Sequence, residues 1–167
     1  TTIESGLLWN DRTLESFDFF QPAGGLAQNE TFDYREQILG VYTMGTLQIG
    51  SFNTQAGLRY EHFTSNSTNT LNNQSTDLVF KNLFPSLHFS YVMNETNTIS
   101  IGYSKRVSRP NFRHVNPFQM GNQYFEWVAN PSLKPEFSDN FELNIQHNGR
   151  AITWSLSTFY RNRTDVI

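Results

Sequence analysis

Four histidines are the first residues in this chain that could bind a metal or move a proton: His62, His88, His114 and His147. They lie far apart, and no two show the i, i+4 spacing that puts ligands on one helix face. There is no cysteine, which excludes a thiolate metal site, a cysteine nucleophile and a disulfide framework. No nucleophile elbow, P-loop or glycine-rich phosphate fingerprint occurs. No catalytic residue, metal ligand or cofactor is therefore assigned. Two sets suit binding instead. Phe112, Tyr124, Phe125 and Trp127 sit in a long polar stretch and could stack on a flat ligand. The competing reading, and the favoured one, is that they pack a small core of their own loop. Arg59, Glu61, Arg106, Glu142 and Arg161 share one parity of their segments. They point to pairing with one another across neighbouring strands, or to contact with a domain packed against them, ahead of steering an anionic substrate.

The elements that must position these residues are strands. Aromatics make up 15% of the chain and charged residues 16%, with abundant Asn, Thr and Ser. Disordered chains are poor in aromatics, and helical ones are richer in Ala, Leu, Glu and Lys. Five stretches alternate apolar and polar residues with a period of two. Ala56, Leu58 and Tyr60 oppose Gly57, Arg59 and Glu61. Leu87, Phe89 and Tyr91 oppose Ser86, His88 and Ser90, and Ile99, Ile101 and Tyr103 oppose Ser100, Gly102 and Ser104. Phe141, Leu143 and Ile145 oppose Glu142, Asn144 and Gln146, and Ile152, Trp154 and Leu156 oppose Thr153, Ser155 and Ser157. Ile3–Asn10 and Phe32–Leu47 read less cleanly as two more strands, the second weakened by Gly40 and Gly45.

The connections alternate in length. Short turns are expected at Gln48–Ser51, Asn94–Asn97 and Asn148–Gly149, the last an Asn-Gly pair suited to positive φ. Long polar loops are expected at Phe19–Thr31, Thr64–Lys81 and Pro110–Phe137. This predicts an all-β, antiparallel up-and-down meander of seven strands. Lipid offers the backbone no hydrogen bonds, so a sheet in a membrane must close into a barrel with apolar residues outside and polar ones inside. Tyr60, Phe63, Tyr91, Tyr103, Phe141, Trp154, Phe159 and Tyr160 lie towards strand ends, where interfacial aromatic girdles belong. Alternation alone leaves a soluble sheet with one face on a core, such as a carbohydrate-binding module, open beside the barrel. The near-balanced net charge of -3 argues against a nucleic-acid partner.

Longer phrases carry more specific information. "SKRVSRPNFRHVNPF" (Ser104–Phe118) and "NPSLKPEFSDNFEL" (Asn130–Leu143), with "FDYREQI", "QAGLRYE" and "LFPSLHFSY" upstream in order, resemble the barrel of TonB-dependent outer-membrane receptors. The resemblance is nearest to the outer-membrane β-barrel family common in Bacteroidetes. The motif positions are Arg109 and Pro110, then Asn116 and Pro117, then Asn130, Pro131, Leu133, Lys134, Pro135 and Glu136, and they read as structural. The two late prolines hold Asn130 and Lys134 extended, a stiff lead-in to the next strand.

What the resemblance implies is a bacterial outer-membrane location and a 22-stranded barrel closed by a plug. It further implies uptake of a scarce siderophore, glycan or peptide, energised by the TonB complex. Expected partners are outer-membrane lipid, the rest of the barrel, the plug, TonB through the plug, and a surface lipoprotein on the loops. Residues 1–167 are read as one partial barrel domain, a fragment without the plug. An adhesin or scaffold built on the same barrel is the alternative, and no enzyme activity is expected.

Overall fold

The computed structural model describes residues 1–20, 28–69, 74–111, 114, 119–122, 125–128, 130 and 132–166. Nine strands follow in order: β1 (Thr2–Phe20), β2 (Gln28–Ile49), β3 (Phe52–Asn69), β4 (Gln74–Val92), β5 (Asn97–Ser108), β6 (Gln119–Asn122), β7 (Phe125–Val128), β8 (Glu136–Asn148) and β9 (Thr153–Thr164). Seven form one sheet in the order β1-β2-β3-β4-β5-β8-β9, every pair antiparallel. This is the expected meander. It is open, with β1 and β9 at its edges. β6 and β7 form a separate two-stranded hairpin inside the long polar loop expected at Pro110–Phe137.

The register shows why the residues alternate. Residues opposite each other on neighbouring strands share a face. One face carries Ile3, Leu7, Trp9, Val41, Leu47, Ile49, Phe52, Leu58, Tyr60, Leu83, Leu87, Ile101, Phe141, Trp154, Leu156 and Tyr160, all exposed. The other face holds Phe32, Tyr34, Glu61, Phe63, Ser65, Ser67, Phe84 and Asn140, all buried. The molecule is inside-out: carboxylates and hydroxyls are covered while leucines and tryptophans stand in the open. Soluble monomers rarely expose an apolar patch above a few hundred Å². A continuous apolar belt across seven strands therefore faces lipid, which rules out the soluble-module reading. On β3 the belt runs from Phe52 to Tyr60, about 27 Å along the strand at ~3.4 Å per residue. At the ~40° tilt of barrel strands that is roughly 20 Å of height, close to the ~25 Å band of outer-membrane barrels.

Aromatic rows mark its edges. Near the short turns Phe52 stacks on Tyr91 with centroids 4.7 Å apart, and Trp154 on His147 at 5.8 Å. At the opposite edge Tyr103, Phe141 and Tyr160 form a row with spacings of 4.9 and 6.2 Å. Two residues of the expected girdle do not belong to it. Phe63 and Phe159 have the opposite parity, pairing with Phe80 and Glu142 on the inward face. Phe63 is buried there, stacked on Phe80 at 6.0 Å.

Three connections also differ from expectation. Thr64–Lys81 is no long loop: β3 and β4 stay paired out to Asn69 and Gln74. Likewise β1 and β2 pair out to Phe20 and Gln28, so only 21–27 separate them. Above the belt β3 is polar on both faces from Thr64 to Asn69, so its period-two hydropathy signal disappears while the ladder to β4 continues. Cross-strand bonds such as Asn66 Nδ2 to Asp77 Oδ1 at 2.6 Å hold it. The third difference is the Asn-Gly turn. β8 continues through Asn148 and β9 starts at Thr153. Gly149 donates its N–H to the Ile152 carbonyl at 3.0 Å without a positive φ. Its lack of a side chain still counts, since a Cβ there would meet that carbonyl at 2.9 Å. Among the described residues the glycine at positive φ is Gly50, at +56°, the first residue of the two-residue turn joining β2 to β3. That is the place a II′ hairpin turn reserves for glycine.

Candidate functional site

The inward face is where chemistry concentrates. Arg59, Glu61, Arg106, Glu142 and Arg161 all lie on it, by the register of β3, β4, β5, β8 and β9. Glu61 is the most buried, 4% exposed, and holds two cations. Arg59 Nε lies 3.1 Å from Oε1, two residues along the same strand. Arg109, just past the end of β5, donates from Nη2 to Oε2. Each guanidinium also covers a ring: Arg109 lies over Phe63 at 5.0 Å and Arg59 over Phe84 at 5.1 Å. Two cations beside one buried carboxylate offset the cost of desolvating it, and the rings add cation–π attraction.

Arg161 Nε donates to Asn140 Oδ1 at 2.6 Å, and the amide of buried Asn140 donates to the Ser104 carbonyl at 3.1 Å. Arg163 reaches Glu136 at 3.5 Å. Arg106 and Glu142 have no ion-pair partner among the described residues. Glu142, His88, Asn144, Ser157, Phe159 and Arg161 line a groove of about 470 Å³ on this face. The charged set is thus split between a paired centre at Glu61 and an open groove near Glu142.

A second centre sits higher on the same face, above the belt. Phe32 and Tyr34 are fully packed, with Leu14 and Leu78 against them. Tyr34 donates its hydroxyl to Glu36 Oε2 at 2.8 Å, and Arg12 meets Glu36 Oε1 at 3.0 Å. Burial, helped by the Glu36 carboxylate, pushes the Tyr34 phenol well above its usual range. On the outward face at this height Arg35 pairs bidentately with Asp11, at 3.1 and 2.7 Å. The Arg35 guanidinium and the Gln37 amide hold the Asp11 carboxyl at about 2.

The long loop enters and leaves through a stitched neck. Pro110 is buried at its start and Pro135 fully buried at its end. Asn111 and Asn130 each open a turn by accepting a backbone N–H on the side-chain oxygen, from His114 and Ser132 respectively. The Asn130 N–H donates to the His114 carbonyl at 2.9 Å and joins the two limbs. Leu133, exposed Lys134 and Pro135 then lead into β8 at Glu136. Of the aromatic set, Phe125 and Trp127 belong to β7 by backbone. Phe112 and Tyr124 lie outside the described residues, as do Asn116, Pro117 and Pro131. No metal-ligating cluster occurs among the described residues. In the sequence Arg109 belongs to a motif and Glu61 to the inner wall, with nothing that joins them. Their separation of 48 residues left no local spacing to read.

An inside-out antiparallel sheet with an apolar belt, aromatic rows and a polar, ion-paired interior is a piece of the wall of an outer-membrane β-barrel. The outer membrane protein beta-barrel family matches residues 5–167, and the chain belongs to it. It is accordingly a protein of the bacterial outer membrane. No curated protein matches it in sequence. Among solved structures, the unliganded ferric citrate transporter FecA superposes with a TM-score of 0.74 at 14% identity, covering 96% of this chain and 24% of FecA. The ferric yersiniabactin uptake receptor FyuA from Yersinia pestis gives 0.71 at 16% identity, covering 98% and 26%. The siderophore receptor PirA from Acinetobacter baumannii gives 0.60 at 19% identity, covering 97% and 28%. At these identities the likeness is one of fold, and the chain spans about a quarter of each receptor's length.

Proposed function

We propose that these seven strands form part of the wall and outer loops of a 22-stranded, plug-closed, TonB-dependent receptor that takes up a scarce nutrient. The observation that carries this is the superposition of nearly the whole chain on the walls of a ferric citrate transporter and a ferric yersiniabactin uptake receptor. The motif phrases around Arg109 and Asn130, which resemble the Bacteroidetes branch, support it. Among siderophores, glycans and peptides, a metal chelate is the favoured cargo, because these neighbours are iron-chelate receptors by name. The remaining strands, the plug and, through it, the TonB complex are the partners this reading requires. A surface lipoprotein would dock on the outer loops.

The test is uptake of labelled ferric chelates by cells carrying the whole receptor, with and without working TonB. TonB-dependent accumulation is expected. Accumulation of no chelate, sugar or peptide under either condition would favour the adhesin or scaffold alternative. Within the same reading, Phe112, Tyr124, Phe125 and Trp127 are the proposed loop contacts to cargo. Tyr124→Ala and Trp127→Ala should weaken chelate binding by about tenfold each, the scale of one lost aromatic contact. Unchanged affinity would leave those rings as loop packing only.

A further inference from the structure

The sheet is split along one seam. β4 pairs with β5 from Val92↔Thr98 only as far as Ser86↔Ser104. Beyond that, β4 continues to Gln74 paired only with β3, and Lys105–Ser108 of β5 pair only with β8. Pro85 stands at the fork and has no N–H to donate to a ladder. A depression of about 630 Å³ extends from this fork across β3 to β2, with Phe84, Pro85, Arg106 and Val107 on the fork side and Met44 and Gly57 on the far side. Two unpaired strand stretches facing a gap should move apart unless something else holds them.

Among the described residues, one ion pair spans the gap. Arg109 leaves the tip of β5, passes β4 and reaches Glu61 on β3, with its guanidinium over Phe63 and Phe63 in turn on Phe80 of β4. Its Nε is buried with no partner among the described residues, so the Nη2 bond and the ring face carry the attachment. Pro110 is buried directly behind it. We propose that Arg109 is a latch: by seating on Glu61 it closes the β4–β5 seam at its open end and fixes the root of the 110–135 loop against the inner wall. Arg59 is not part of the latch. It pairs with the other oxygen of the same carboxylate, Oε1, at 3.1 Å.

The test uses the whole receptor in the outer membrane of intact cells treated with chymotrypsin, since the loop contains Phe112, Tyr124, Phe125 and Trp127. Arg109→Gln and Glu61→Gln should each speed loop cleavage at least tenfold while the barrel still runs as a folded, heat-modifiable band. The double variant should be no faster than either single one, because both remove the same contact. Arg59→Gln should cleave at the wild-type rate, and Arg109→Lys, which keeps charge but loses the fork, should fall between wild type and Arg109→Gln. Wild-type cleavage in an assembled Arg109→Gln barrel would overturn the latch, as would additive effects in the double variant. Failure of both Arg109→Lys and Arg109→Gln to assemble would also overturn it, because the wall is held by its own ladder and not by Arg109.

Discussion

The two halves of the sheet solve the same problem differently. β1 to β4 have 18 to 22 residues each and stay paired far above the apolar belt. β5, β8 and β9 have 12 or 13 and stop just above it, giving way to the long loop between β5 and β8. Inside the belt the two halves are alike, because lipid imposes the same alternation on both. Above it the long half supplies its own reasons to remain a sheet: the Phe32–Tyr34 centre within and the Asp11–Arg35 and Asn66–Asp77 rungs without. The short half replaces ladder by neck, with two buried prolines, two asparagine turns and Arg109. A strand in water persists only where packing and cross-strand pairs stand in for the constraint that lipid supplies below.

That comparison can be broken most directly at Phe32. Phe32→Ala should cost the upper β1–β2–β3 region about 3–5 kcal/mol, the range for a fully buried phenylalanine. Hydrogen exchange should quicken around Asn29–Arg35 and Asn66–Thr68 and leave the belt rows protected. Loss of protection in the belt as well would mean the two zones are one cooperative unit. Next in size, Ile101→Arg at mid-belt should destabilise the folded barrel by about 2–4 kcal/mol in refolding titrations into lipid. Val79→Arg, also outward but above the belt on the long half, should have almost no effect. Equal penalties would place Val79 in lipid and move the boundary upward. Within the short half, Asn140→Ala should cost about 1–3 kcal/mol by leaving the Ser104 carbonyl and Arg161 without their partner. Faster exchange along β8 and β9 would report it.

The smallest effect concerns acid. The Asp11 carboxyl is held at about 2 against an ordinary 3.8. A carboxylate with a lowered folded pKa stabilises fully above its unfolded value, and that contribution fades as pH falls through the folded one. Protection of the β1–β2 rungs near Arg35 should therefore be flat down to about pH 4 and decline towards pH 2. Asp11→Asn should remove the pH step. A step at ordinary carboxylate pH would show that the exposed pair does not hold in solution.

How much of this was legible in the residues depends on where water and lipid lie. Inside the belt, five alternating stretches gave strands, faces and order correctly, because every second side chain meets a different solvent. Phe63 and Phe159 lie near strand ends as girdle residues do, and only their parity sets them on the inward face. The upper half of β3 reads as a loop because Ser, Thr and Asn on both faces leave no hydropathy contrast, although Thr favours strands, and on β4 Leu78, Val79 and Phe80 are consecutive apolar residues without alternation. Asn-Gly suggested a positive φ that Gly50 takes instead.

The sequence by itself determined the meander, the lipid-facing belt and the outer-membrane family, since these depend on local alternation and on short ordered phrases. Only the tertiary structure decided that the sheet parts at Pro85, that Phe32 and Tyr34 form a centre above the membrane, and that Arg109 ends on Glu61. Each of those joins residues on different strands whose distance in space depends on the register of the strands between them. Register is a sum over the whole ladder, and no window of the chain contains it.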